Sequence, residues 1–259
     1  MFRVLVLAQV VVNIAFLPFT APQNKVAVLV RGESFRQHSH QGSRETGPLG
    51  FEPQKEAVRS HLEQLFLPFI FDMNYSAIDL FLDTPTTNFT SSLMSWYGPF
   101  INQSRHSHPG SISEHLNYIL EHRDQYAGLF LTRPDIIFKN IFACALTKSN
   151  RNQILFSFRE WLGTNGDTLQ NGAHRVADLI TWIPRDLFDD AHPCLSMNHE
   201  TRGCLRSKYG EAWEIGNSGY ILPGEQHDSD PEKDWNPLYK LAGRQEGNDV
   251  SSVRTNWTC

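Results

Sequence analysis

One apolar run that ends on an arginine and an aspartate constrains the fold of this chain most. Residues Tyr126 to Leu131 contain no charged side chain, and Thr132-Arg133-Pro134-Asp135 follow directly. A short run of this kind predicts a buried strand of a parallel sheet. Pro134 has no N–H to donate, so the strand is expected to stop there and to leave Asp135 at its carboxyl edge.

The carboxyl edge of an open α/β sheet is where ligands bind, which makes Arg133 and Asp135 the first candidate site. A carboxylate at that edge can hold a divalent cation, and an arginine can meet a phosphate through two parallel hydrogen bonds. The alternative is a structural ion pair or a capped turn, and the run by itself favours neither interpretation.

The first 22 residues have the pattern of a secretory signal peptide. A single charge at Arg3 precedes an apolar stretch from Val4 to Phe19, and Thr20-Ala21 offers small residues for cleavage. The stretch is shorter than the ~20 residues of a typical membrane-spanning helix, which leaves a short signal anchor as the alternative. We therefore expect a leader over residues 1–22 and a single domain over residues 23–259.

Sequons and cysteines agree with passage through the secretory pathway, to the ER or Golgi lumen or out of the cell. Four N-glycosylation sequons begin at Asn74, Asn88, Asn102 and Asn256. Of the four cysteines, Cys194 and Cys204 are the expected disulfide pair because they lie close together in a polar loop. For Cys144, which lies in an apolar run, a buried thiol is the simpler interpretation.

The charge balance argues against a nucleic-acid partner. The formal net charge is −5 and the chain has no long basic run. A membrane contact is expected only if the leader stays attached as an anchor.

Strand and helix patterns alternate along the chain. Further strands are predicted over Lys25–Val30, Ala77–Thr84, Gln153–Phe158 and Arg175–Ile183. Helices are predicted from Glu52-Pro53 onward, over Ser91–Tyr97, and after an N-cap at Ser111 or Ser113. The alternation predicts an α/β fold with a mostly parallel central sheet, followed by an irregular C-terminal region.

This layout resembles glycosyltransferases of the GT-A type. The resemblance rests on Arg31-Gly32 after the first strand, on the strand Ala77–Thr84, on Arg133-Pro134-Asp135, and on Asp178 in His174-Arg175-Val176-Ala177-Asp178. It implies a Rossmann-like sandwich, a nucleotide-sugar donor, a glycan or glycoprotein acceptor, and Mn²⁺ or Mg²⁺ held against the diphosphate. The chain departs from the usual Asp-x-Asp motif, because an arginine stands at its first position.

The resemblance also implies a set of site residues. The nucleotide sugar would be bound by Arg31, Gly32, Arg36, Asp83, Arg133 and Asp135. Asp135 would hold the metal, with His227 or Asp228 as a further ligand from the C-terminal side. The alternative for Asp228-Ser229-Asp230 is a solvated turn.

An inverting transferase needs a carboxylate that takes the proton of the acceptor hydroxyl. Asp178 is the first candidate, because a charge inside an apolar strand is costly to bury without a role. A salt bridge to Arg175 or Arg185 is the alternative, and Glu214 is a second candidate base.

The sequence therefore favours a transferase of sugar from a nucleotide donor. A non-catalytic domain of the same fold that binds carbohydrate or protein is the alternative. A metal-dependent hydrolase is the third hypothesis, suggested by His38-Ser39-His40 and His106-Ser107-His108. No G-x-S-x-G and no P-loop motif is present, which argues against a serine hydrolase and a kinase.

Overall fold

The structure is a computed structural model. It describes residues 24–32, 34–38, 44–46, 50–105, 112–157, 159–162, 175–176, 180–195, 204, 218–221, 225–228 and 238–242. No helix among these residues is long and apolar enough to cross a membrane.

A seven-stranded sheet forms the centre of the fold. Its strands are β1 (Lys25–Arg31), β4 (Ala77–Asp83), β5 (Ile101–Arg105), β6 (Tyr126–Thr132), β8 (Ile154–Phe156), β11 (Thr181–Pro184) and β12 (Ser218–Tyr220). Their spatial order is β12-β8-β11-β6-β1-β4-β5. Only β11 runs antiparallel to its neighbours within this sheet, so the sheet is mostly parallel, as the sequence predicts.

Three small sheets surround the central one. The hairpin β2 (Arg36–His38) pairs with β3 (Arg44–Thr46), and β7 (Ile136–Phe138) pairs with β14 (Tyr239–Leu241). The third sheet contains β9 (Arg159–Leu162), β10 (Arg175–Val176) and β13 (Glu225–Asp228).

Six α-helices are described. They are α1 (Phe51–His61), α2 (Leu67–Phe71), α3 (Thr90–Tyr97), α4 (Ile112–Glu121), α5 (Ile141–Lys148) and α6 (Phe188–Leu195). A π-helical turn at Leu62–Phe66 joins α1 to α2, so the two form one continuous helical rod. Short 3₁₀ turns precede β5, β6 and α6.

Side chains of β1 alternate between two cores, one on each face of the sheet. Val26, Val28 and Val30 belong to a cluster with apolar residues of α1, α2, α3 and α5. Ala27 and Leu29 belong to a second cluster with residues of α4 and α6. All five side chains are fully buried, which explains why this strand reads as an unbroken apolar run. The fold is the predicted α/β sandwich.

The prediction of one strand over Arg175–Ile183 is wrong. The structure places Arg175 and Val176 in a small sheet and Thr181 to Pro184 in the central one. After β8 the chain passes through β9 and β10 and re-enters the central sheet from the carboxyl edge. Because it enters from that edge, β11 runs antiparallel to β6 and β8.

One edge strand of the central sheet is not among the strands predicted from the sequence. Residues Ile101 to Arg105 form the edge strand β5, which pairs only with β4. An edge strand has one free side, so it tolerates an exposed polar residue such as Asn102.

The disulfide prediction is confirmed for Cys194 and Cys204, whose Cα atoms lie 5.1 Å apart. The interpretation of Cys144 as a free thiol is wrong, since this residue is disulfide-bonded too. Cys144 lies at a half-buried position of α5, where its sulfur can reach a partner outside the core.

The indole of Trp182 lies directly over Gly128 where β11 crosses β6. A Cβ atom at Gly128 would fall well inside van der Waals contact with two ring carbons of Trp182, and 2.9 Å from the carbonyl oxygen of Ile183. The indole is 1% exposed, and its Nε1–H donates to the carbonyl oxygen of Arg151 at 2.9 Å. The ring therefore has no room to move away from β6.

We expect Gly128→Ala to lower the free energy of unfolding by about 3 kcal/mol, because the added methyl overpacks a rigid core contact. Urea denaturation measures this loss. Trp182→Phe removes the clashing ring carbons, so the double variant should lose less stability than the sum of the single variants. Strictly additive losses would contradict this packing.

Candidate functional site

The candidate site lies at the carboxyl edge of the central sheet. Strands β1, β4, β6 and β8 run in one direction, so their ends meet there. Register pairs Arg31 of β1 with Asp83 of β4, and Val30 with Thr132 of β6. Residues that are far apart in the sequence are thus neighbours, as the sequence analysis predicts for Arg31, Asp83 and Arg133.

Arg31 and Asp83 form the first charged pair of this edge. Asp83 is fully buried and Arg31 is half-buried. Burial lowers the pKa of the Arg31 guanidinium, and the nearby Asp83 carboxylate opposes that shift. The backbone reinforces the pair, because the Gly32 N–H donates to the Asp83 carbonyl oxygen at 3.1 Å.

Gly32 brings the loop after β1 against the loop after β6. Its φ of +127° is rarely adopted by residues with a side chain, so the backbone requires glycine here. A Cβ at this position would lie 3.6 Å from Pro134 Cδ and 3.9 Å from Arg133 Cγ. The segments that carry Arg31 and Arg133 are therefore in close contact.

Arg133 and Asp135 form the second charged pair. The Arg133 Nε–H donates to Asp135 Oδ1 at 2.8 Å, and its Nη2 donates to Oδ2 in parallel. Asp135 is only 1% exposed, whereas the Arg133 side chain is 29% exposed. The carboxylate therefore holds the guanidinium in one orientation while part of the guanidinium still faces solvent.

Gln54 joins the two loops from behind. Its Nε2 donates to the Pro134 carbonyl oxygen at 2.6 Å, and its Oε1 accepts from the Phe35 N–H at 2.9 Å. The side chain is 1% exposed, so both bonds are shielded from water. The sequence analysis missed this residue.

His61 supports the strand that follows Asp135. Its Nε2–H donates to the carbonyl oxygen of Ile136 at 2.8 Å, and its Nδ1 accepts from the Tyr97 hydroxyl at 2.7 Å. This tautomer follows from the carbonyl, which can only accept. Gln54 and His61 are polar residues at positions that belong to the buried apolar stripe of α1. A polar residue at such a position is the sequence signal that could have identified both.

Three buried hydroxyls mark the same edge. Thr84 follows β4, Thr132 ends β6 and Ser157 follows β8, and each is at most 3% exposed. Within the described part of the chain, none of their side-chain oxygens has a hydrogen-bond partner. A buried hydroxyl without a partner is costly, so each of these groups would gain from a polar partner at this edge.

The described residues do not fit a metal ion. They contain no group of three or more histidine, cysteine, aspartate or glutamate side chains that could hold one. Both carboxylate oxygens of Asp135 accept from Arg133 and the residue is 1% exposed, so in this arrangement the carboxylate serves the guanidinium rather than a site open to solvent. His227 and Asp228 lie in β13, whose backbone pairs with β9, and Ser229 and Asp230, the rest of the predicted turn, lie outside the described residues.

The remaining predicted residues are only partly described. Arg36 begins β2, one strand of the hairpin after the Arg31 loop. Asp178 and Glu214, the two candidate bases, lie outside the described residues. Their roles stay predictions from the sequence.

Comparisons with known proteins give weak likenesses of the whole fold. No family model and no curated protein matches the sequence. A cytidylyltransferase from Leptospira borgpetersenii is 12% identical, with a TM-score of 0.42 over 80% of this chain and 79% of that chain. The CTP:phosphocholine cytidylyltransferase from Streptococcus pneumoniae is 14% identical, with a TM-score of 0.43 over 78% of this chain and 91% of that chain. Likeness at this level assigns no activity to this chain.

Acid should destabilise the fold through His61. Burial lowers the pKa of His61 to about 4, below its unfolded value of about 6.5, so the unfolded state binds the proton first. Stability is therefore complete above pH 6.5, falls as the pH drops toward 4, and loses about 3 kcal/mol in all.

Urea denaturation at pH 7, 5.5 and 4.5 measures this loss. His61→Gln should be less stable at pH 7 and should lose part of the pH dependence, whereas His122→Gln, which alters a half-buried histidine stacked on Tyr118, should keep it. An unchanged pH profile in His61→Gln would show that another group titrates.

Proposed function

We propose that this chain binds a nucleotide sugar at the carboxyl edge of its central sheet and transfers the sugar to an acceptor. One observation carries the proposal. Two guanidinium groups, Arg31 and Arg133, stand on loops in mutual contact, and each lies beside a buried carboxylate. Two oriented guanidinium groups at this edge offer N–H donors for the oxygens of a diphosphate.

The chemistry of glycosyl transfer needs such cations. When the bond from the sugar to the diphosphate breaks, negative charge grows on the leaving phosphate oxygen. Donors that are already fixed in place stabilise that charge without a reorganisation cost. Asp135 fixes Arg133 through Nε and Nη2, which leaves Nη1 of the partly exposed guanidinium for the phosphate.

The buried hydroxyls of Thr84, Thr132 and Ser157 support a polar ligand rather than an apolar one. Hydroxyls can both donate and accept, which suits the ribose and base of a nucleotide. The described side chains do not offer a set of ligands for Mn²⁺ or Mg²⁺. Asp178 or Glu214 is the proposed base for the acceptor hydroxyl.

The acceptor class and the compartment are proposals from the sequence. The leader pattern and the four sequons support a glycan or glycoprotein acceptor in the secretory pathway. The bonded cysteines 144, 194 and 204 suit an oxidising compartment.

A second function is favoured by one feature of the site. The carboxylate that the resemblance assigns to a metal is engaged by Arg133 in the structure. A domain that binds nucleotide or carbohydrate without transferring sugar would have no need of a free carboxylate there.

Nucleotide binding tests both functions. Calorimetric titration with UDP, GDP and their sugar conjugates, with and without Mn²⁺, should show binding of one nucleotide. Arg133→Gln should weaken that binding by about 10- to 100-fold, the effect of one lost charged hydrogen-bond pair. Arg123→Gln is the matched control, because it removes an exposed arginine bonded to Asp189 near the opposite edge of the sheet.

The outcomes separate the alternatives. Release of free nucleoside diphosphate from a nucleotide sugar, dependent on an added glycan acceptor, supports the transferase. Tight binding without such release supports the binding domain. Equal affinity of wild type and Arg133→Gln would end the proposal for this site.

A further inference from the structure

A second cavity lies at the opposite, amino edge of the central sheet. Its volume is about 1020 Å³, and residues that precede β1, β4 and β8 contribute to it, together with the end of β11. Its polar lining includes Asn24, Asn74, Asn150, Arg151 and Asn152. Nothing in the proposed transfer at the carboxyl edge uses this space.

One lining residue is also the asparagine of a sequon. Asn74-Tyr75-Ser76 forms the loop between α2 and β4, and Asn74 and Ser76 are exposed whereas Tyr75 is buried. Asn74 has a φ of +58°, a left-handed conformation that favours asparagine among residues with a side chain. That conformation explains the asparagine, but it does not explain the serine two residues later or the polar cavity beside them.

The lining has the chemistry that recognises a neutral sugar. Amide groups of asparagine both donate and accept, as sugar hydroxyls and acetamide groups do. Arg151 lies with its guanidinium carbon 5.8 Å from the centre of the Tyr75 ring, and its Nη1 is buried without a hydrogen-bond partner in the described part of the chain. Arg185 and Asp186 lie at the rim 3.5 Å apart, so they offset each other's charge.

We propose that Asn74 carries an N-linked glycan whose first two N-acetylglucosamine units fold back into this cavity. Arg151, as a residue of the cavity lining, donates to an acetamide carbonyl or hydroxyl oxygen, and Asn152 contributes an exposed amide. The volume is near the upper end of the roughly 300–1,000 Å³ of pockets that bury small ligands, which is ample for a disaccharide. The proposal requires passage through the secretory pathway but not transferase activity.

The other described sequons provide an internal comparison. Asn88 lies in the turn before α3 and Asn102 lies in the edge strand β5, and both side chains are exposed. Neither lines the cavity at the amino edge. A glycan on either residue has no corresponding contact with Arg151 or Asn152.

The test uses the full chain secreted from a eukaryotic cell line that makes uniform oligomannose glycans. The native protein is treated with peptide N-glycosidase in ¹⁸O water, and site-specific mass spectrometry follows the conversion of each glycosylated asparagine to aspartate. Release from Asn74 should be about tenfold slower than release from Asn88, the factor that about 1.4 kcal/mol of contact free energy gives. After denaturation the two rates should be equal.

Variants of the cavity lining test whether contacts inside the cavity cause the slower release from Asn74. Arg151→Ala should speed release from Asn74 and leave release from Asn88 unchanged, and Arg59→Ala, which removes an exposed arginine of α1 that is bonded to Glu63 and does not line the cavity, should change neither rate. If Arg151→Ala does not fold, the exposed Asn152→Ala provides the same comparison. An unoccupied Asn74 in the secreted protein, or equal native release from Asn74 and Asn88, would overturn the proposal.

Discussion

A strand buried on both faces can satisfy its backbone groups only through its neighbours, and β1 does so through parallel pairing with β4 and β6. This pairing fixes where the three strands end. It brings Arg31 opposite Asp83 and sets the loop that carries Arg133 against Gly32. The charged edge of the sheet is therefore a consequence of the ladder.

Burying a charged pair costs desolvation energy, and well-placed hydrogen bonds offset that cost here. Asp135 accepts two parallel bonds from Arg133, and α1 supports the same loop through Gln54 and His61. An apolar replacement of equal volume would stabilise the edge at least as well. The proposed role of the pair, which is to present an oriented guanidinium to a ligand, therefore does not depend on a gain in stability.

The sequence predicts those features that depend on local pattern. The strands β1, β4 and β6 are buried apolar runs, and the spacing of Cys194 and Cys204 predicts their bond. The reversed strand β11 escapes prediction because its direction depends on the small sheet through which the chain returns. For Arg133 and Asp135 the sequence leaves a ligand site and a structural ion pair open as alternatives, and only the coordinates show that the two side chains bond each other.

The reversed strand also links the two ends of the sheet. Because β11 runs from the carboxyl edge to the amino edge, it places Trp182 over Gly128 and delivers Pro184 to the far end. Trp182 and Pro184 then line the cavity beside Asn74. If the strand at this position were parallel to its neighbours, it would begin at the amino edge and end at the carboxyl edge. The chain that follows it would then not reach the cavity from this strand. The antiparallel strand β11 thus contributes to the lining of the cavity at the amino edge. The candidate site at the carboxyl edge is formed by the ends of the parallel strands beside it.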